Sequence, residues 1–170
     1  MSRGARVIWV LGSDSDLPFL EDGFAALREL NVPFEVRILS AHRTPDAVDE
    51  LARSARADGV AVLIGAAGGA AHLPGVLAAR TTLPVIGVPI PTDLAGGLDS
   101  LLSIVQMPAG IPVATVAAGK SGGRNAALLA ASILSVAEPE MARRLDELRR
   151  SMAEKVLRRD SEKGLRLVPR

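Results

Sequence analysis

Three continuous apolar runs limit what this chain can fold into: Val7-Ile8-Trp9-Val10-Leu11, Val60-Ala61-Val62-Leu63-Ile64 and Val85-Ile86-Gly87-Val88. None alternates polar with apolar residues, so each reads as a strand covered on both faces, which is the condition of a parallel sheet inside an α/β protein. Phe34 to Leu39 and Val113 to Val116 read as two further strands. The segments between them have helical spacing. Leu17, Leu20, Phe24, Leu27 and Leu30 share a stripe, as do Val48, Leu51 and Ala55 after Pro45, in a helix expected to run to about Gly59. A short helix should end near Arg80-Thr81, another should span Leu98 to Met107, and one from about Arg124 to Val136 is apolar nearly all round. Past Glu138-Pro139, Met141, Leu145, Leu148, Met152 and Val156 form a single stripe on a last helix, with charge opposite. Strands alternating with helices predict a doubly wound, three-layer αβα sheet of five buried strands plus an additional C-terminal helix; of the doubly wound orders, the flavodoxin-like 2-1-3-4-5 is chosen over the plain Rossmann order.

At 170 residues the chain fits one domain, with a core over about 6–137, a C-terminal helix over about 139–159 and a loose tail over 160–170. It has no cysteine, so disulfides and Cys-ligated metal sites are excluded, and that usage suits a reducing cytoplasm. No apolar run is long enough for a membrane span, and no signal-peptide pattern precedes the first strand. A formal charge of +1, three Phe, one Trp and no Tyr give little to attract or stack nucleic acid. Residues 138–170 hold ten of twenty basic and seven of nineteen acidic residues, leaving a near-neutral, Ala- and Gly-rich body. So apolar a body, with one helix apolar nearly all round and the stripe of the last helix to cover, predicts homo-oligomerisation, the last helix packing on a neighbouring subunit.

Chemistry-bearing residues gather in loops that follow strands, where open α/β sheets bind ligands. Ser40-Ala41-His42-Arg43-Thr44-Pro45 puts a hydroxyl, an imidazole and a guanidinium at a strand-to-helix turn, with Thr44 at the N-cap and Pro45 in the first helical turn. Two readings stand: a capped, solvated turn, or an acid/base imidazole beside an anion site. Gly12-Ser13-Asp14-Ser15-Asp16 offers N–H groups and hydroxyls for a phosphate and a carboxylate for sugar hydroxyls, or a helix cap. Gly65 to Gly75, with Gly68, Gly69, Ala70 and His72, allows close approach to a planar ligand or close helix packing. Gly119-Lys120-Ser121 is no P-loop, because Ala114 stands where that motif needs glycine. No metal-ligand spacing is present.

Gly12-Ser13-x-Ser15-Asp16, Ser40 to Pro45, Gly68-Gly69-Ala70-Ala71-His72-Leu73-Pro74-Gly75 and Asp99 to Pro108 together resemble the 5-(carboxyamino)imidazole ribonucleotide mutases, bacterial purine-biosynthesis enzymes of the AIR carboxylase catalytic-subunit family. The resemblance runs from about Val7 to the last helix. It implies a flavodoxin-like octamer in the cytoplasm, with no metal and no organic cofactor. The implied reaction moves a carboxylate from the exocyclic nitrogen of an aminoimidazole ribonucleotide to ring carbon C4. By matching position, His42 resembles the catalytic acid/base. Ser13, Asp16 and Arg43 resemble the phosphate and ribose contacts, supported by Ser15 and Ser40. Gly68, Gly69, Ala70 and His72 belong to the loop under the imidazole. Arg43 after the histidine favours the mutase over the sister branch, which carboxylates aminoimidazole ribonucleotide directly and usually carries Lys there. A non-catalytic ribonucleotide-binding module is the other alternative. Ala66, where glycine is usual, is expected to narrow the pocket, and Pro91-Thr92-Asp93 to alter a nearby loop.

Overall fold

The computed structural model describes residues 6–164. Its five strands are β1 (Val7–Leu11), β2 (Phe34–Ile38), β3 (Val62–Ala67), β4 (Val85–Pro89) and β5 (Ala114–Thr115). They form one parallel sheet, as the run pattern predicts, in the expected flavodoxin-like order β2-β1-β3-β4-β5. Trp9 lies opposite Val36 on one side and Ile64 on the other, and Ile64 lies opposite Ile86. The central strands β1, β3 and β4 are buried throughout, but β2 is half-exposed and β5 is a two-residue edge strand with Ala114 exposed. The expectation of five buried strands therefore holds for three. Edge strands meet a neighbour on one side only, and β2 carries Glu35 and Arg37.

Among the described residues six α-helices flank the sheet or pack on its flanking layer: α1 (Glu21–Glu29), α2 (Pro45–Ser54), α3 (Leu73–Ala78), α4 (Leu98–Val105), α5 (Gly119–Ser135) and α6 (Pro139–Lys163). Strand alternation divides the core. Val7, Trp9 and Leu11 pack with α1, α5 and the start of α6, whereas Ile8 and Val10 pack with α2, α3 and Ile104 of α4. Trp9 meets Phe24 edge-on at 5.1 Å between ring centroids, and Phe24 stacks on Phe34 at 5.6 Å.

Several boundaries differ from the sequence reading for identifiable reasons. Leu17 enters through a 3-10 turn, Asp14–Phe19, because Pro18 interrupts the ladder before α1 begins. Strand β3 continues through Gly65-Ala66-Ala67, where Gly65 leaves room for Pro74, whose Cα would sit 3.0 Å from an added Cβ. Helix α2 stops at Ser54, and turns carry the chain to Gly59 at φ 84°. Helix α5 starts at Gly119 (φ 67°) rather than Arg124. Gly123 lies against the Phe19 carbonyl and Leu20, a separation that a side chain would not permit.

The C-terminal helix is divided along its length. Met141, Leu145 and Leu148 are buried in this chain's own core, so the first half packs at home rather than on a neighbour. Met152, Val156 and Leu157 are 44%, 65% and 67% exposed. The helix also runs four residues past the expected end at 159, through Lys163, so the start of the expected loose tail is helical. The rest of that tail, 165–170, lies outside the described residues. No helix among the described residues is long and apolar enough to cross a membrane.

Candidate active site

The turn after β2 is built by its own hydroxyls. Ser40 Oγ accepts from the backbone N–H groups of His42 (3.3 Å) and Arg43 (3.2 Å). Thr44 occupies the N-cap position of α2 but does not cap it: its hydroxyl accepts from Ser40 N–H at 2.9 Å and donates to the Ser40 carbonyl at 3.1 Å. The turn is thus a closed staple that presents His42 and Arg43 outward. Arg43 donates through Nη2 to the Gly12 carbonyl at 3.1 Å, which ties this loop to the one after β1.

The Gly12 loop is a helix cap that also borders the cavity described below. Ser13 Oγ accepts from Ser15 N–H at 3.3 Å, and Ser13 N–H donates to Asp16 Oδ2 at 3.2 Å, a reciprocal capping box. The Ser15 hydroxyl donates to Ser13 Oγ at 2.8 Å. Asp16, only 7% exposed, has its carboxyl raised above the usual range, mainly by burial. The Ser13 N–H and Ser15 hydroxyl oppose that shift. Asp16 Oδ2 is therefore already engaged in holding its own loop.

The third loop is bent into place. Ala71 has φ 40°, a positive value rare for a residue with a Cβ, and Gly69 has φ 67°. Ala71 N–H donates to the Gly68 carbonyl at 3.2 Å, and His72 follows at the N-cap of α3, not inside it. The result sets His72 Nδ1 2.8 Å from His42 Nε2, with the rings edge-to-face at 75°.

These three loops enclose a cavity of about 400 Å³ at the carboxyl ends of β1, β2 and β3, a size suited to a small-molecule ligand. Ser13, Asp16, Ser40, His42, Arg43, Gly68 and His72 line it. Ser15, Gly69 and Ala70 do not; Ser15 supports Ser13 from behind, and Gly69 is turned toward α4. Ala66 is fully buried among the Trp9-side residues and is absent from the wall, so the expected narrowing does not occur. Thr92 does reach the site's edge: its Cγ2 would lie 3.3 Å from a Cβ on Gly68, and its hydroxyl donates to Asp99 at 2.6 Å. That bond holds the Asp99 carboxyl below the usual range. The Gly119-Lys120-Ser121 run opens α5 and contributes nothing to the cavity.

Sequence reasoning missed Ser100. Completely buried, it accepts from Gly69 N–H at 2.9 Å and donates to the Ile90 carbonyl at 2.7 Å. Ser103 adds a donation to the Gly69 carbonyl at 3.4 Å. Their signal was two serines at i, i+3 in a helix that is apolar apart from them and Asp99, within the Asp99 to Pro108 motif. A larger cavity, about 900 Å³, opens at the opposite end of the sheet beside Pro84 and Val85. Its arginines are occupied, Arg53 and Arg80 with Asp49 and Arg56 with Thr82, and no motif residue reaches it. The smaller cavity is the one that the motif residues line.

Comparison with known proteins identifies the family. The family model described as AIR carboxylase matches residues 6–155. The N5-carboxyaminoimidazole ribonucleotide mutase of Bacillus subtilis is 55% identical over 148 residues, covering 87% of this chain and 91% of that protein. The mutase of Mycobacterium tuberculosis H37Rv is 54% identical over 157 residues, with coverage of 92% and 89%. That of Thermotoga maritima is 51% identical over 162 residues, covering 95% and 91%. Among solved structures, Treponema denticola PurE superposes with a TM-score of 0.84 at 32% identity, over 94% of this chain and 98% of that one. With a family model spanning most of its length and relatives above half identity, this chain belongs to the AIR carboxylase family.

Proposed function

We propose that the protein is an N5-carboxyaminoimidazole ribonucleotide mutase, transferring the carboxylate from the exocyclic nitrogen to C4 of the same aminoimidazole ribonucleotide. The observation that carries this reading is the convergence of His42, Arg43, Ser13 and Asp16 on one cavity of ligand size, in a chain whose relatives bear that name. Ser13 and Arg43 hold the phosphate, the guanidinium matching two phosphate oxygens at once. Asp16 accepts from ribose hydroxyls, and the loop at Gly68 lies under the imidazole.

His42 is the acid and then the base. Its proton goes to the carbamate nitrogen, the C–N bond breaks with its electron pair left on nitrogen, and carbon dioxide is released. The electron-rich C4 attacks the carbon dioxide carbon, and neutral His42 removes the C4 proton, restoring the aromatic ring. Imidazole suits both steps because it titrates near neutrality.

Trapping the gas needs a covered site, yet His42 and His72 are exposed in the single chain. We infer that a homo-oligomer supplies the cover. Apolar side chains stand uncovered on two helices, Leu98, Leu102 and Val105 on α4 and Met152, Val156 and Leu157 on α6. The second half of α6 packs on a neighbouring subunit. A count of eight and a cytoplasmic location follow from the resemblance to the mutases. Incubation with the carbamate ribonucleotide should give C4-carboxylated product. Turnover only of aminoimidazole ribonucleotide with bicarbonate would replace the reading with direct carboxylation, and sedimentation as a monomer would remove the assembly.

A further inference from the structure

We propose that His72 is the positioning partner of His42: its Nδ1 accepts a hydrogen bond from His42 Nε2–H and keeps His42 Nδ1 as the nitrogen that exchanges protons with the substrate. The substrate's identity, though not the pairing itself, rests on the mutase reading.

The geometry leaves two choices. Two imidazole nitrogens 2.8 Å apart must be one donor and one acceptor. In the first choice His42 Nε2–H donates to His72 Nδ1. In the second, His72 Nδ1–H donates to His42 Nε2. An acid/base residue must pass through its cationic form, which carries a proton on each nitrogen. In the second choice that form sets two N–H groups against each other and the contact breaks in every cycle. Only the first choice survives both halves of the reaction.

The consequence is a specific proton path. As the cation, His42 holds protons on Nδ1 and Nε2, the latter bonded to His72. The Nδ1–H bond breaks, and its proton passes to the carbamate nitrogen as the C–N bond cleaves. His42 is then neutral with Nε2–H still donating, so the lone pair exposed at Nδ1 belongs to the nitrogen that has just given its proton. That lone pair takes the C4 proton after the new C–C bond forms, and His42 is again the cation. His72 neither gains nor loses a proton. It fixes the tautomer and the ring's angle, as a carboxylate does for histidine in a hydrolase triad.

The backbone around His72 is arranged for this task. The uncommon φ of 40° at Ala71 and the buried Leu73, 3% exposed, bracket it on a rigid turn. His42 Nδ1 makes no hydrogen bond among the described residues. On the other side, the Ser40 staple fixes the His42 backbone.

The chain has only two histidines, so nitrogen NMR of the full-length, histidine-labelled protein reads both rings directly. Wild type should show His42 as the Nε2–H tautomer when neutral. His72→Asn places an amide oxygen where Nδ1 sits; it should preserve that tautomer and most of kcat. His72→Leu should lose about 10- to 100-fold in kcat, the scale of a misaligned catalytic group, with product affinity nearly unchanged and the His42 tautomers mixed. A His42 Nδ1–H tautomer in wild type, or equal kcat in the Asn and Leu variants, would overturn the proposal. The wild-type spectrum requires neither substrate nor a foldable variant. Absence of mutase turnover would therefore refute the activity while the pairing is still decided.

Discussion

Ser100→Ala isolates how the floor of the site is held. Removing one oxygen deletes the 2.7 Å donation to the Ile90 carbonyl and the 2.9 Å acceptance from Gly69 N–H, without creating a steric conflict. The Ile90 carbonyl lies in a buried residue at the end of β4, so stranding it costs about 1–3 kcal/mol. Gly69 is half-buried and water replaces part of its loss, so that bond contributes about 1 kcal/mol. The sum is about 2–4 kcal/mol, large against the 5–15 kcal/mol typical of a folded domain. Urea unfolding of variant and wild type at one protein concentration should show a lower midpoint with an unchanged slope, and the Gly69 amide should exchange faster. The Gly68-Gly69 segment then keeps only the longer Ser103 tether to α4, raising KM. A destabilisation below about 0.5 kcal/mol, the ordinary scatter of harmless surface changes, would refute the assignment of Ser100 as the loop's anchor.

Three more substitutions probe the site directly. His42→Asn should fold and bind product, yet lose turnover by at least about 100-fold; near-normal kcat would take His42 out of the chemistry. Arg43→Lys keeps the charge but loses the fork onto phosphate, so the product's Kd should rise roughly tenfold by calorimetry, and an unchanged value would put the phosphate elsewhere. Asp16 has a raised folded-state pKa, so the native state binds more protons than the unfolded one above 3.8, and stability falls as pH rises through the window from 3.8 to the raised value. Asp16→Asn should therefore have a higher Tm than wild type at neutral pH, with the difference closing as pH falls toward 3.8, while ribonucleotide affinity drops; a gap that widens in acid would reverse the sign assigned to burial.

The sheet was legible because three of its strands are buried on both faces and say so in Val7–Leu11, Val62–Ile64 and Val85–Val88. The strand order was a choice of the flavodoxin-like over the plain Rossmann arrangement, which the alternation of strands and helices does not decide. Less legible were boundaries set by glycine. Gly65 reads as the start of a loop until Pro74 is seen packed against it, and Gly119 to Gly123 reads as a turn until Gly123 is seen beside Phe19 and Leu20. The motif residues Ser13, Asp16, His42 and Arg43 were found because hydroxyls, an acid and bases clustered after strands. The cap formed by Ser13 with Asp16 was one of two readings the sequence left open, whereas the staple that Ser40 and Thr44 build across their own turn was not visible. His72 and Ser100 show the limit plainly, since their partners are 30 and 31 residues away along the chain.

Carboxylate transfer within one closed site makes a prediction that rival readings do not share. The carbamate ribonucleotide, carrying ¹³C in its carboxylate, is incubated with the protein in excess unlabelled bicarbonate, and the product is weighed by mass spectrometry before equilibrium. A mutase with His42 acting on trapped carbon dioxide returns product labelled at the C4 carboxylate. Product carrying only unlabelled carbon would contradict the mechanism, and no product at all would contradict the function.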